Sequence, residues 1–233
     1  LDIGSFDWLA LGEIIWINAL LSGDNAVVIA MACRALPAGR RKWGMILGAG
    51  VAIALRILFT LIIVALLGVP YLKIVGALAL LYIAVDLLAP NAGEDEGGVE
   101  ASGSLLRAVG TIAVADVVMS LDNVIAIAGV AGGHFDLLII GLAVSVPMIV
   151  AGSAVILAVM DRFPLIVWAG AALLGFVAGE MVVGDVALSD RFGGAYVHSW
   201  ETTAAVTFAL AVVAVGWLLR KARRPESEES SQT

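Results

Sequence analysis

Ser22-Gly23-Asp24-Asn25 stands inside an apolar run covering residues 9–33, and Ser120-Leu121-Asp122-Asn123 stands inside a second run covering residues 105–130. Asp122 follows Asp24 by 98 positions. An ionised carboxylate near a bilayer centre costs roughly 2.5–3.5 kcal/mol on insertion scales, so acidic residues in spanning helices ordinarily mark an ion or proton path. The same costly device at matched depth in two parts of one chain points to a membrane transporter whose site is made by two internal repeats.

The surrounding composition supports a membrane setting. Of 233 residues, 61% are hydrophobic and only 14% charged, and mean hydropathy is +1.04. An ordinary soluble domain is roughly 45–50% apolar. The net charge of −7 comes largely from two hydrophilic segments, residues 94–100 and 226–229, and nothing in it suggests nucleic acid as a partner. The single cysteine, Cys33, excludes an intrachain disulfide and a cysteine metal cluster. No Lys or Arg precedes Arg34, so the first apolar run is expected not to be a cleavable signal.

A run of about 20 apolar residues can cross the hydrocarbon core as a helix. Seven such runs are present: 9–33, 44–67, 71–89, 105–130, 137–160, 165–183 and 203–219. The fold expected is all-α, a polytopic membrane protein with seven transmembrane helices. Its parts are a first three-helix repeat (6–90), an acidic cytoplasmic linker (91–104), a second three-helix repeat (105–185), a seventh transmembrane helix (201–220) and a disordered cytoplasmic tail (221–233). With the N-terminus outside, ten of the 13 Lys and Arg residues fall on the inner side. Lys73 and Arg191 fall outside, and Arg56 lies within a span. Lys and Arg concentrate in cytoplasmic loops, which predicts N-out and C-in.

The repeat extends past the quartets. At an offset of 98, Asn18 matches Asp116, Ser22 matches Ser120 and Ile29 matches Ile127. After a shorter connection the offset becomes 94, pairing Pro70 with Pro164, Gly76 with Gly170, and Asp86 with Glu180. Three spans per copy make the second copy enter from the opposite side. Inverted repeats with the site at their interface recur among transporters.

Positions i, i+4 and i+7 share one helix face. Asn18, Ser22 and Asn25 form such a stripe, as do Asp116, Ser120 and Asn123, with Asp24 and Asp122 one step away. Glycine at position 23 permits local unwinding, whereas Leu121 in the second copy does not. Pooled, the stripes supply three carboxylates, three carboxamides and two hydroxyls. Such an oxygen set suits a hard divalent cation, Mn²⁺, Mg²⁺ or Ca²⁺. All eight side chains, Asp24, Asp116, Asp122, Asn25, Asn123, Asn18, Ser22 and Ser120, are candidate ligands of such a cation, with Asn18, Ser22 and Ser120 secondary among them. The competing reading is interhelical hydrogen bonding without a substrate. Arg56 alone is placed to pair with one of the carboxylates, or to snorkel towards a headgroup. Asp86 and Glu180, near opposite membrane faces, are candidate gates or proton relays. Glu13, Asp161 and Asp185 read as interfacial.

The run Ser22-Gly23-Asp24-Asn25-Ala26-Val27-Val28-Ile29-Ala30-Met31-Ala32, followed by Leu36-Pro37 and Arg40-Arg41-Lys42, resembles the TerC family of integral membrane proteins. It is most similar to the bacterial YjbE-type branch, and Ser120-Leu121-Asp122-Asn123 is similar to the family's second D-N motif. The resemblance implies seven spans, membership of the LysE-like exporter group, manganese efflux and an association with tellurium resistance. It further implies a bacterial inner-membrane location and a metal site centred on Asp24, Asn25, Asp122 and Asn123 with Asp116 beside them. Some branches carry a carboxylate where this chain has Asn18, which lowers the negative charge here.

The expected function is export of a divalent cation, Mn²⁺ by the resemblance, in exchange for protons. The cation is cargo, no cofactor is permanently bound, and the partners are the metal ion and the lipid bilayer. The alternative is a membrane metallation factor that supplies metal to secreted proteins. A retinal photoreceptor is excluded because residues 203–219 contain no lysine. No His accompanies the span aspartates and no Gly-x-Ser-x-Gly run is present, so an enzyme is not expected. A reporter fused after Thr233 is expected to read as cytoplasmic, and one inserted at residues 185–200 as external; the same side for both would contradict seven spans.

Overall fold

In the computed structural model the described residues are 11–13, 15, 16, 22–66, 69–89, 100–131 and 135–222. Side chains are described within these ranges except at 60–66, 100–104, 122–131 and 135–138. The described residues contain no strand. Among the described residues, nine helices with both ends described follow one another: α1 Gly23–Arg34, α2 Ala38–Leu66, α3 Leu72–Leu88, α4 Glu100–Ala131, α5 Phe135–Arg162, α6 Leu165–Val183, α7 Val186–Phe192, α8 Gly194–Ser199 and α9 Glu201–Ala222.

Proline punctuates this order. α1 stops before Pro37, which has no N–H to extend it, and α2 begins at the next residue, with Arg40 and Arg41 donating their N–H groups to the Pro37 carbonyl. Pro164 similarly stands directly before α6. Among the described residues, four helices are long and apolar enough to cross a membrane: Ala38–Phe59, Ile139–Arg162, Leu165–Val183 and Glu201–Ala222. Of the other expected spans, α3 has 17 residues, roughly 25 Å at about 1.5 Å per residue. The run 105–130 is helical throughout as α4, and the run 9–33 begins outside the described residues. The acidic linker from 91 to 99 and the tail from 223 also lie outside them.

The helices form two compact units that do not follow chain order. One contains α1, α2, α4 and α5, with α1 against α5 and α2 against α4 as its main pairings. Gly48 of α2 faces the Ile112 side chain of α4, and Gly44 faces Leu36, Cys33 and Leu105. Arg41 ties the α1–α2 turn to the end of α5. Its Nε donates to the Leu36 carbonyl at 3.1 Å, Nη2 to the Arg34 carbonyl at 3.2 Å and Nη1 to Asp161 at 2.6 Å.

The second unit contains α3, α6 and α9 with the short α7 and α8. Hydrophobic burial gives spanning helices little reason to associate in lipid, so small residues and polar links hold them together. Gly175 and Gly179, one turn apart on α6, meet the backbone of α9 at Phe208–Ala209 and Ala204–Ala205. Arg220 of α9 donates to the Leu88 carbonyl at 2.7 Å, at the C-terminal end of α3, and lies 4.9 Å from the Trp168 ring. Such a cation is favourable where helix carbonyls are left without partners.

Asp185 departs from the interfacial role expected of it. It is fully buried and joins the starts of two helices. Its carboxylate accepts from the N–H groups of Tyr71 at 2.9 Å, Lys73 at 3.1 Å and Ile74 at 3.4 Å, and from Ala187 at 2.9 Å. Four N–H donors are thereby satisfied at the starts of α3 and α7. Tyr71, at φ 65°, holds a left-handed conformation that turns its N–H towards this carboxylate.

A Cβ at position 179 would strike backbone that cannot yield. Gly179→Val is expected to lower the stability of the purified protein by about 1–3 kcal/mol, read as an earlier thermal transition in detergent. Gly50→Ala, where nothing lies within 4 Å, serves as the tolerated control. Equal stability of wild type and Gly179→Val would contradict close α6–α9 packing.

Candidate functional site

The first unit contains a buried ion pair between α2 and α4. Arg56 is 2% exposed and Asp116 5%. Arg56 Nη2 pairs with Asp116 Oδ1, and the guanidinium also reaches both quartets. Its Nε donates to Ser120 Oγ at 3.1 Å and its Nη1 to Ser22 Oγ at 3.4 Å. Ser120 Oγ donates in turn to Asp116 Oδ2 at 3.4 Å. The serines that open the two quartets thus share one cation.

Ser22 stands immediately before α1, and Asp24 and Asn25 lie in its first turn. There the N–H groups lack intrahelical acceptors. Asp24 Oδ1 takes one of them, accepting from the Asn25 N–H at 2.8 Å. Its carboxylate is half-buried. The second quartet lies within the unbroken helix α4 instead. This difference follows from sequence, since Gly23 disfavours helix continuation and Leu121 does not.

Asn25 is 4% exposed. Among the described residues, neither its Nδ2 nor its Oδ1 has a hydrogen-bond partner. It borders a cavity of about 10 Å³ with Val28 and Ile29 of α1, Ala52 of α2, and Ile112 and Asp116 of α4. A space of that size holds about one water. An unsatisfied buried polar group costs about 1–3 kcal/mol, so this amide favours an occupant with polar character. The cavity also presents it with the Asp116 carboxylate.

Residues 3–227 match the TerC family of integral membrane proteins. The chain belongs to that family. It is 46% identical over 181 residues to the uncharacterized membrane protein YjbE of Bacillus subtilis (strain 168), covering 78% of this chain and 82% of YjbE. YceF of the same organism, also described as an uncharacterized membrane protein, is 26% identical over 75% of this chain and 70% of its own length. YkoY, likewise described, is 23% identical over 97% of this chain and 76% of its own. No solved structure matches. Family membership and four helices of spanning length make this TerC protein a multi-pass membrane protein.

The structure brings Ser22, Asn25, Asp116 and Ser120 of the expected site around Arg56 and the cavity. Asp24 stands beside Asn25. Asp122 and Asn123 fall on the α4 backbone with side chains outside the described residues, and Asn18 lies outside them altogether. Among the described residues, no three His, Cys, Asp or Glu side chains are grouped to hold a metal ion. Asp86 on α3 and Glu180 on α6 are half-buried and belong to the second unit.

Sequence reasoning left the partner of Arg56 open between a carboxylate and a headgroup; the structure selects Asp116. It also passed over Ala52 and Ile112. A signal for both existed, because Ala52 lies four residues before Arg56 and Ile112 four before Asp116, each on the same helix face as the charge.

Proposed function

We propose that this TerC protein exports a divalent cation, with Mn²⁺ the leading candidate, across the bacterial inner membrane and in exchange for protons. The observation that carries the reading is the buried, unbonded Asn25 amide sharing a water-sized cavity with Asp116. A cation that takes carbonyl and carboxylate oxygens would satisfy the amide oxygen and balance negative charge together. Mn²⁺, Mg²⁺ and Ca²⁺ all accept such ligands. Asp24, Asp122 and Asn123 complete the proposed ligand set, with Asn18, Ser22 and Ser120 as secondary members.

An architecture of two inverted three-helix repeats followed by a seventh span suits this role. The pairing of α1 with α5, α2 with α4, and α3 with α6 supports it, because a two-fold relation between repeats turns the α1–α5 pair into the α4–α2 pair and exchanges α3 with α6. The N-terminus is then outside and the C-terminus cytoplasmic, with Asp86 and Glu180 as gates or proton relays near opposite faces. The role is transport rather than catalysis.

Asp24→Ala and Asp122→Ala are each expected to lower Mn²⁺ efflux from loaded cells roughly ten-fold or more while the protein still inserts. An interaction with a charged group is worth about 1.5–3 kcal/mol, and about 1.4 kcal/mol is already a factor of ten. Asp24→Asn, which keeps shape and deletes charge, is expected to be nearly as damaging. Wild-type efflux from these variants at normal expression would return the quartets to interhelical hydrogen bonding.

A further inference from the structure

Arg56 lies on oxygens that a substrate cation would need. Its three nitrogens contact Asp116 Oδ1, Ser120 Oγ and Ser22 Oγ, drawing groups from both quartets. The Asn25 cavity opens beside the same carboxylate, and its amide is left without a partner while the guanidinium is in place. Arginine does not deprotonate in proteins, so its charge leaves these oxygens only if the side chain moves. A divalent ion in the cavity would sit a few ångströms from that charge. Like charges about 4 Å apart repel by roughly 4 kcal/mol per unit pair at an effective dielectric of about 20.

We propose that Arg56 is a tethered counter-cation: it occupies Asp116 and the two quartet serines when no substrate cation is bound, and yields them when a divalent cation enters the Asn25–Asp116 cavity. The inference rests on the cation-transport reading. It adds a competitor that never leaves the protein. The returning guanidinium neutralises Asp116 in the empty site and drives the cargo out, which leaves proton exchange to the other carboxylates. Arginine suits this part because its guanidinium is weakly hydrated and spreads donors over several acceptors, whereas an ammonium is compact and strongly hydrated.

The test is paired, on the full-length protein: Mn²⁺ titration in detergent and Mn²⁺ flux in reconstituted vesicles. Arg56→Gln is expected to bind Mn²⁺ roughly ten-fold more tightly or better, since a competing charge is gone, and to transport it more slowly because release has lost its competitor. Arg56→Lys keeps the charge with a poorer grip, so it is expected to bind more tightly than wild type by a smaller factor. It carries the test if Arg56→Gln does not fold. Opposite changes in binding and flux support the proposal, whereas a purely structural clamp would lose both. Unchanged or weaker Mn²⁺ binding in both variants overturns the proposal and leaves the transport reading standing. Absence of Mn²⁺, Mg²⁺ or Ca²⁺ binding by the wild type overturns both.

Discussion

A guanidinium buried between apolar helices must be neutralised where it stands. Removing one member of a buried ion pair typically costs about 3–5 kcal/mol, because the other charge is left uncompensated. Arg56 is held by Asp116 and shared with Ser22 and Ser120. That requirement sets the depth of α2 against α4 and brings the start of α1 to the same point. Asn25, three residues beyond Ser22, then falls beside Asp116 with its amide unbonded. The cavity follows from an ion pair that spans between helices without filling the space next to it.

The second unit solves the problem of helix association by other means. Close backbone approach at Gly175 and Gly179 joins α6 to α9, Arg220 closes the end of α3, and Asp185 gathers the starts of α3 and α7. Each device satisfies backbone groups or brings backbones together, which is what association in lipid requires. None of them presents an unsatisfied polar side chain. The contrast supports locating cation chemistry in the first unit, where the amide of Asn25 stays unpaired.

Much of the helical framework was legible from local pattern. The breaks at Pro37 and Pro164 and the helices Leu165–Val183 and Glu201–Ala222 follow from apolar run length and residues that cannot continue a helix. The quartets stood out because carboxylates are costly in apolar runs. What escaped was partnership across long sequence separation. Asp116 lies 60 residues from Arg56, and Asp185 lies 114 from Tyr71. Periodicity places a residue on a face of its own helix but does not name the facing residue on another. Asp185 read as interfacial because a carboxylate at a span end ordinarily reaches water; here backbone N–H groups replace that water.

A cation site in a membrane protein can serve passage or delivery, and only movement of the ion separates them. The most direct measurement is Mn²⁺ flux into or out of sealed vesicles containing the purified protein and no other. The expected result is protein-dependent Mn²⁺ movement that an opposed proton gradient accelerates and that Asp24→Ala lowers roughly ten-fold or more. Saturable Mn²⁺ binding with no flux under any gradient would contradict transport and make this a protein that holds metal for a partner.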